Sequence, residues 1–538
     1  MAKALKTRAS KLPYIPSVQS TFPGFETPFA KHLNSSNRWI VLARRIPWDE
    51  LVNVYQKQMG NSKTGADGIN PRVVIGSLII KHMCDLSDRE TLQQIQENMY
   101  MQYFLGFSSF SDEEPFDASL FVEFRKRLGV EQINAINEKI LNLSISQQEV
   151  VSANRQKDDE PPANTPTAIA EKQEVAPINE EPILLKSDEQ SPAITHYGQL
   201  IVDATACPQD ISFPTDLNLL DNAREKSEEL IDVLYKAGLH KRKPRTYRKV
   251  ARKLYLKTAQ KKVKSKTEIR RALRQQLGFV NRNIKNVLKL LATYETIPLN
   301  AHQYKYLLVI QTLYDQQAKM YKEKSHTVED RIVSIHQPHV RPIVRGKTNA
   351  KVEFGAKINV SLMNGFAFLE DLSWDAFNEG TRLIKTVEQY KARFGYYPKE
   401  VLADKIYCNR TNRARLKELE IVLVAKALGR PRALSNHIRP GQRNPIEGKF
   451  GQAKTAYGLN RIKARLAKTS SSWIATIIMV LNLVKLTGQV PFCLLLSILN
   501  STVLELKKII TRMENYLPST KLAISKVTFT YSADPIYI

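Results

Sequence analysis

Residues 151–195 constrain the chain most. They hold six prolines and nine acidic residues against four basic ones. A stretch of that composition cannot bury enough apolar surface to offset the entropy of ordering it, and predicts a flexible acidic linker. Whatever folds must fold on either side of it. The 538 residues leave room for roughly two to four domains.

Before the linker, residues 1–30 carry Lys3, Lys6, Arg8 and Lys11 without apolar periodicity and read as a basic arm. Residues 31–150 follow a helical period. One helix is predicted over Pro71–Asp85, with proline at its first position. A second follows Ser87, with Glu90 placed to complete a capping box. A third opens near Asp117 and stops at Gly129, bearing Arg125, Lys126 and Arg127. Two short helices, a tight turn and a basic third helix suit a helix-turn-helix-like DNA-binding domain. The alternative is an all-helical domain with a merely solvated basic face.

After the linker the period changes. Gln199–Ala204 is a short β-rich run, followed at about 220–325 by a helical, basic insertion. Lys241–Gln275 contains sixteen Lys/Arg and one acid, Glu268. Helices normally mix signs, so this excess, starting at Lys241, Arg242, Lys243 and Arg245, points to phosphate contacts. Strands are then predicted over Lys351–Leu362, Phe366–Leu372, Lys399–Ala403 and Ile421–Ala425. Helices alternate with them over Thr381–Phe394, from about Arg410 to Leu419, and from Asn444–Pro445 onward. A mixed sheet flanked by helices is the plain inference for 196–490, with a C-terminal tail over 491–538.

Charge and cysteines narrow the setting. A net charge of +27 with a pI near 9.7 calls for a polyanionic partner, nucleic acid before a membrane surface. Cys84, Cys207, Cys408 and Cys493 show no metal-clip or disulfide-scaffold spacing, which predicts a reducing cytoplasm. The basic N-terminus lacks the apolar core of a signal peptide. The most apolar window, Trp473–Leu486, is interrupted by Asn482 and Lys485 and predicts a buried core helix, with no membrane partner.

Two aspartates stand at predicted strand ends in similar settings, Asp203 in LIVDAT and Asp404 in VLADKIY. A carboxylate directly after three apolar residues is costly unless paired or bound to a cation. Each alone also reads as a strand-end cap. Glu447, in RNPIEGKFGQAK, reads either as the partner of Asn444 in a capping box or as a third acid. Two strand-end aspartates and a helix-borne glutamate in one α/β segment suit a pair of Mg²⁺ ions, hard cations that take oxygen ligands.

With these residues in view, the chain resembles the DDE transposases of bacterial insertion sequences. LIVDAT, VRPIVRGKTNAKVEFGAKINVSL, VLADKIYCNRTNRARLKELEI and RNPIEGKFGQAKTAYGLNR resemble the family's catalytic segments, and Trp48–Leu128 resembles its N-terminal domain. The family signature around the glutamate spaces Tyr, Arg, Glu and Lys along the chain. Arg443, Glu447 and Lys454 fit it, and Pro440 stands at the tyrosine position.

The resemblance implies a ribonuclease-H-like α/β catalytic domain with a helical basic insertion, preceded by the all-α domain. It implies Asp203, Asp404 and Glu447 as catalytic and metal-binding residues, with Arg443 and Lys454 holding DNA phosphates. Two Mg²⁺ ions are implied, with Mn²⁺ as substitute. The implied partners are double-stranded DNA, as terminal inverted repeats and target, and a second copy of the chain in a synaptic dimer, in the bacterial cytoplasm at the nucleoid. His336 and His339 read as DNA contacts or loop residues. An endonuclease of the same fold and an inactive DNA-binding relic are the competing readings.

Overall fold

The computed structural model describes residues 33–57, 68–141, 195–344, 352–425 and 441–487. The expected basic arm, acidic linker and C-terminal tail, and Pro440, lie outside the described residues.

The N-terminal helices are α1 (Arg38–Arg45), α2 (Trp48–Gln56), α3 (Pro71–Met83), α4 (Asp88–Glu97), α5 (Met99–Phe104), α6 (Leu120–Arg127) and α7 (130–141). Local chemistry starts them where the sequence predicts. Asn70 caps α3 ahead of Pro71. Ser87 Oγ accepts from the Glu90 amide at 3.2 Å and Glu90 Oε2 accepts from the Ser87 amide at 2.8 Å, a complete capping box for α4.

The second part opens with β1 (Gln199–Pro208) and continues through α8 (Asp216–Leu234), α9 (Arg248–Ala259), α10 (Lys266–Leu291) and α11 (Ala301–Glu323). These four helices form the insertion and bury their own core, Leu220, Ile231, Val280, Val287, Ile310 and Leu313 among it. Then come β2 (Arg341–Val344), β3 (Val352–Met363), β4 (Phe366–Ser373), α12 (Leu383–Phe394), β5 (Glu400–Leu402), α13 (Arg410–Glu418), β6 (Val422–Val424), α14 (Asn444–Ala456) and α15 (Ala467–Thr487). The β3–β4 turn falls on Asn364 and Gly365, at φ 48° and 77°. Two positive-φ residues make the tight hairpin whose twist suits adjoining antiparallel strands.

The sheet is mixed. Its order is β2-β3-β1-β5-β6, with β4 pairing the second half of β3. β1 runs antiparallel to β3 and parallel to β5, which is parallel to β6. One face packs Leu200, Val202 and Val401 against α12 and α13. The other packs Ile201, Val360 and Leu402 into a core shared with α14, α15 and the N-terminal helices.

Helix α15 joins these parts. It is long and apolar enough to cross a membrane, yet 83% of its apolar window is buried inside the protein. The two polar residues that interrupt it both serve the β3–β4 hairpin. Asn482 donates to the Ala367 carbonyl at 2.7 Å, accepts from the Ala367 amide at 2.8 Å and donates to Asn137 at 2.8 Å. Asn134 and Asn137 donate to the Leu369 and Ala367 carbonyls. These side chains satisfy the edge of β4 that no strand covers. Lys485 donates to the Asn364 carbonyl and lies 4.1 Å from the Phe366 ring centre.

Asn482→Leu removes both bonds from Asn482 to Ala367 and leaves Asn137 Oδ1 without its donor. At about 1–3 kcal/mol for each buried polar group left without a partner, a clear drop in Tm is expected. An unchanged melting curve would show that water can replace the side chain there.

The basic face expected on α6 is corrected here. Arg125 is only 3% exposed. It pairs with Asp88 and lies 5.1 Å from the Trp473 ring centre, while Lys81 pairs with the same Asp88 at 3.0 Å and lies 4.6 Å from the same ring. Arg125 ties the N-terminal helices to α15 and is not presented to DNA. Lys126 and Arg127 are exposed, the first paired with Glu123 and the second donating to Tyr55 Oη.

Candidate active site

The parallel pairing of β1 and β5 sets the site. Ile201 lies opposite Leu402. Two residues on along each strand stand Asp203 and Asp404, and a step of two returns a side chain to the same face. The register therefore brings the two acids side by side on the face covered by α14. Asp203 is 17% exposed at its side chain and Asp404 54%. Asp404 Oδ1 accepts from the Lys405 amide at 2.8 Å and starts the 3₁₀ turn Lys405–Tyr407.

Arg443 binds both. Its Nη2 lies 3.0 Å from Asp203 Oδ2 and its Nη1 lies 3.2 Å from Asp404 Oδ1. Gly441, at φ 95°, makes the turn that aims it, in a backbone region that favours glycine. Burial pushes the Asp203 carboxyl up to about 6, against the opposing pull of Arg443.

A fourth acid lies within electrostatic reach, and its position gives no signal in the sequence. Glu379 adds to the rise in the Asp203 pKa and pairs with Lys357 at 2.9 Å. Its 3₁₀ turn, Glu379–Arg382, is locked to the turn after Asp404. Asn412 Nδ2 donates to the Gly380 carbonyl at 2.7 Å and the Tyr407 carbonyl at 2.9 Å, and a Cβ on Gly380 would come within 2.7 Å of the Ile406 carbonyl oxygen.

Glu447 sits in the first turn of α14, exposed, and its side chain makes no hydrogen bond or ion pair with a described residue. The capping box with Asn444 does not form. Arg443 occupies the N-cap position and Asn444 is already helical. The structure thus brings Asp203, Asp404 and Arg443 together and leaves Glu447 one turn along from Arg443. Among the described residues no three His, Cys, Asp or Glu side chains converge as a metal site. Lys454 is half-buried further along α14.

The remaining expected residues lie elsewhere. Lys241, Arg242, Lys243 and Arg245 are exposed in the loop between α8 and α9, Lys243 pairing with Asp232 at 2.7 Å. His336 Nδ1 is 2.7 Å from Tyr306 Oη, and His339 packs edge-on against Trp374. Neither histidine contacts the carboxylates.

The donor set suits a hard cation. Both aspartates offer carboxylate oxygens, and Asp404 Oδ2 accepts from no described residue. The guanidinium between them shows that the pair demands a shared positive charge.

Residues 28–127 match a transposase domain (DUF772), and residues 401–484 match a transposase DDE domain, which holds Asp404, Arg443, Glu447 and Lys454. The chain is 33% identical over 116 residues to an uncharacterized protein, ORF8 in the nfe locus of Rhizobium meliloti. That match covers 21% of this chain and 52% of the relative, so the chain spans about half the length of the curated relative it matches. No solved structure matches. Two matched transposase domains, one on each side of the acidic stretch, support a DDE transposase.

Proposed function

We propose that the protein binds the terminal inverted repeats of its own insertion sequence, cleaves the DNA there and joins the freed 3′ ends to target DNA by transesterification. The observation that carries this is the β1–β5 register, which sets Asp203 beside Asp404 with Arg443 across both, in a chain whose DDE domain supplies Glu447 one turn on. We read the mixed sheet and its helices as ribonuclease-H-like.

Asp203, Asp404 and Glu447 would hold the divalent ions, two Mg²⁺ with Mn²⁺ as substitute. Those ions supply activation of water and of the 3′-hydroxyl, and neutralise charge on the phosphate. The chain's own part is positioning. Arg443, at the N-cap of α14, and Lys454, further along that helix, stand on either side of Glu447 and hold the phosphates of the transposon end. Lys126, Arg127 and the Lys241–Arg245 loop add phosphate contacts away from the reacting bond. Two ends must be brought together, which calls for a dimer, and the reaction takes place in the bacterial cytoplasm.

The test is cleavage of the DNA flanking the open reading frame. Wild type cuts at the inverted repeat in Mg²⁺, and a pre-cut end is joined to a target plasmid. Cutting without joining would leave an endonuclease. Binding without cutting in Mg²⁺ or Mn²⁺ would leave a DNA-binding relic.

A pH dependence follows from Asp203. Its carboxyl titrates at about 6 instead of 3.8, so the charge needed to hold a cation is present above pH 6 and lost below it. Mn²⁺ affinity of the DNA-free protein is expected to fall ~10-fold per pH unit below 6. Titration at pH 7.5 and pH 5 checks this. Equal affinities would show that Asp203 is not a ligand.

A further inference from the structure

A cleft of about 390 Å³ lies on the outer face of α10, lined by Arg271, Arg274, Gln275, Gly278, Phe279 and Arg282. These residues form one stripe of the helix, at steps of three and four. The stripe presents three guanidinium groups and no carboxylate. Arg271 and Arg274 are exposed, and their side chains make no ion pair or hydrogen bond with a described residue. Like charges one turn apart weaken a helix unless an anion lies over them.

The third arginine is braced. Arg282 lies 4.7 Å from the Tyr247 ring centre and 5.8 Å from that of Phe279. Tyr247 is held at φ 56°, a conformation few bulky residues adopt, and is 45% exposed. The Tyr247 ring thus lies against the Arg282 guanidinium at the surface, where such a pairing steadies the cation. The space over Gly278 is open, since a Cβ there would meet nothing within 4 Å.

We propose that this cleft is a phosphate-backbone site for DNA, separate from the carboxylates. Arg271 and Arg274 each take a phosphate of one strand, and Arg282, steadied by Tyr247, takes a third. Phe279 supplies an apolar wall for the sugar. The proposal rests on the reading of the chain as a protein that acts on DNA, and adds to it a defined cleft on the insertion.

The test uses the full chain and labelled DNA of ~25 nucleotides, duplex in one arm and single-stranded in the other. R271Q/R274Q removes two phosphate contacts. On the probe that occupies the cleft it should weaken binding roughly 10- to 60-fold at ~0.1 M salt and flatten the slope of log affinity against log salt by about 1.8. The loss should be the same for unrelated sequences, because phosphate contacts carry no sequence information.

Gln is a good helix former, so α10 should persist. Gly278→Glu, which puts a negative charge into the open cleft, should give the same direction of loss without removing an arginine. Mn²⁺ affinity should be unchanged in both variants. If wild type binds and both variants keep its affinity and salt slope on both probes, the cleft is not a DNA site, while the transposase reading stands. If wild type binds neither probe, that reading falls and this one falls with it.

Discussion

Asp404→Asn is expected to reduce DNA cleavage by roughly 10³-fold or more while leaving affinity for the flanking DNA equal or slightly higher. On the proposed mechanism several kcal/mol of transition-state stabilisation would pass through the cations these carboxylates would hold, and each 1.36 kcal/mol is tenfold in rate. The change isolates chemistry from folding. Asp404 is 54% exposed, and its structural task besides the pairing with Arg443 is to accept the Lys405 amide at the head of a 3₁₀ turn. Asn accepts that bond as well as Asp does. What is lost is one negative charge, and a polyanionic partner is repelled less. Side-by-side cleavage gels, DNA-binding curves and melting curves check the three parts. A variant that still cuts excludes Asp404 from the catalytic set. Glu447→Gln should lose cleavage to a similar degree. If it does not, Glu379, which already acts electrostatically on Asp203, is the next residue to replace.

Much of this site was legible in the residues because its determinants are local. A carboxylate after three apolar residues marks a strand end, and the spacing of Arg443, Glu447 and Lys454 marks one helix. Register is not local. That Asp203 and Asp404 share a face follows from the Ile201–Leu402 pairing, which no segment read alone contains. Glu379 was invisible for the same reason, since Asn412 and Gly380 bring its turn to the site through tertiary packing.

Asn482 and Lys485 were seen as interruptions of an apolar helix. Their use, satisfying the open edge and turn of a distant hairpin, needed the structure. Arg125 was misread because three consecutive basic residues look like one face. Successive helical residues point about 100° apart, so Arg125 turns into the core as Lys126 and Arg127 turn out. The basic insertion was legible as a charge excess, but its own apolar core shows it to be a folded bundle.

Arg443→Gln is expected to change sign with conditions. Without divalent ions it should lower stability by about 1–3 kcal/mol. It leaves Asp203 and Asp404 adjacent with no shared cation, and the figure is held down by the exposure of Asp404. The Asp203 carboxyl should rise further above 6, since Arg443 is the strongest influence holding it down. With Mn²⁺ the order should reverse. A cation that no longer competes with a guanidinium for the same two carboxylates binds the variant more tightly above that pKa, so the rise in Tm on adding Mn²⁺ exceeds that of wild type. Cleavage should still fall if, as proposed, the guanidinium also holds phosphate beside the acids. Melting with and without Mn²⁺, together with cleavage, separates these effects. If Mn²⁺ raises the Tm of the variant no more than that of wild type, Arg443 and the cation do not share the Asp203–Asp404 pair, and the guanidinium is a fixed part of the site instead of a charge that gives way to metal and moves to DNA.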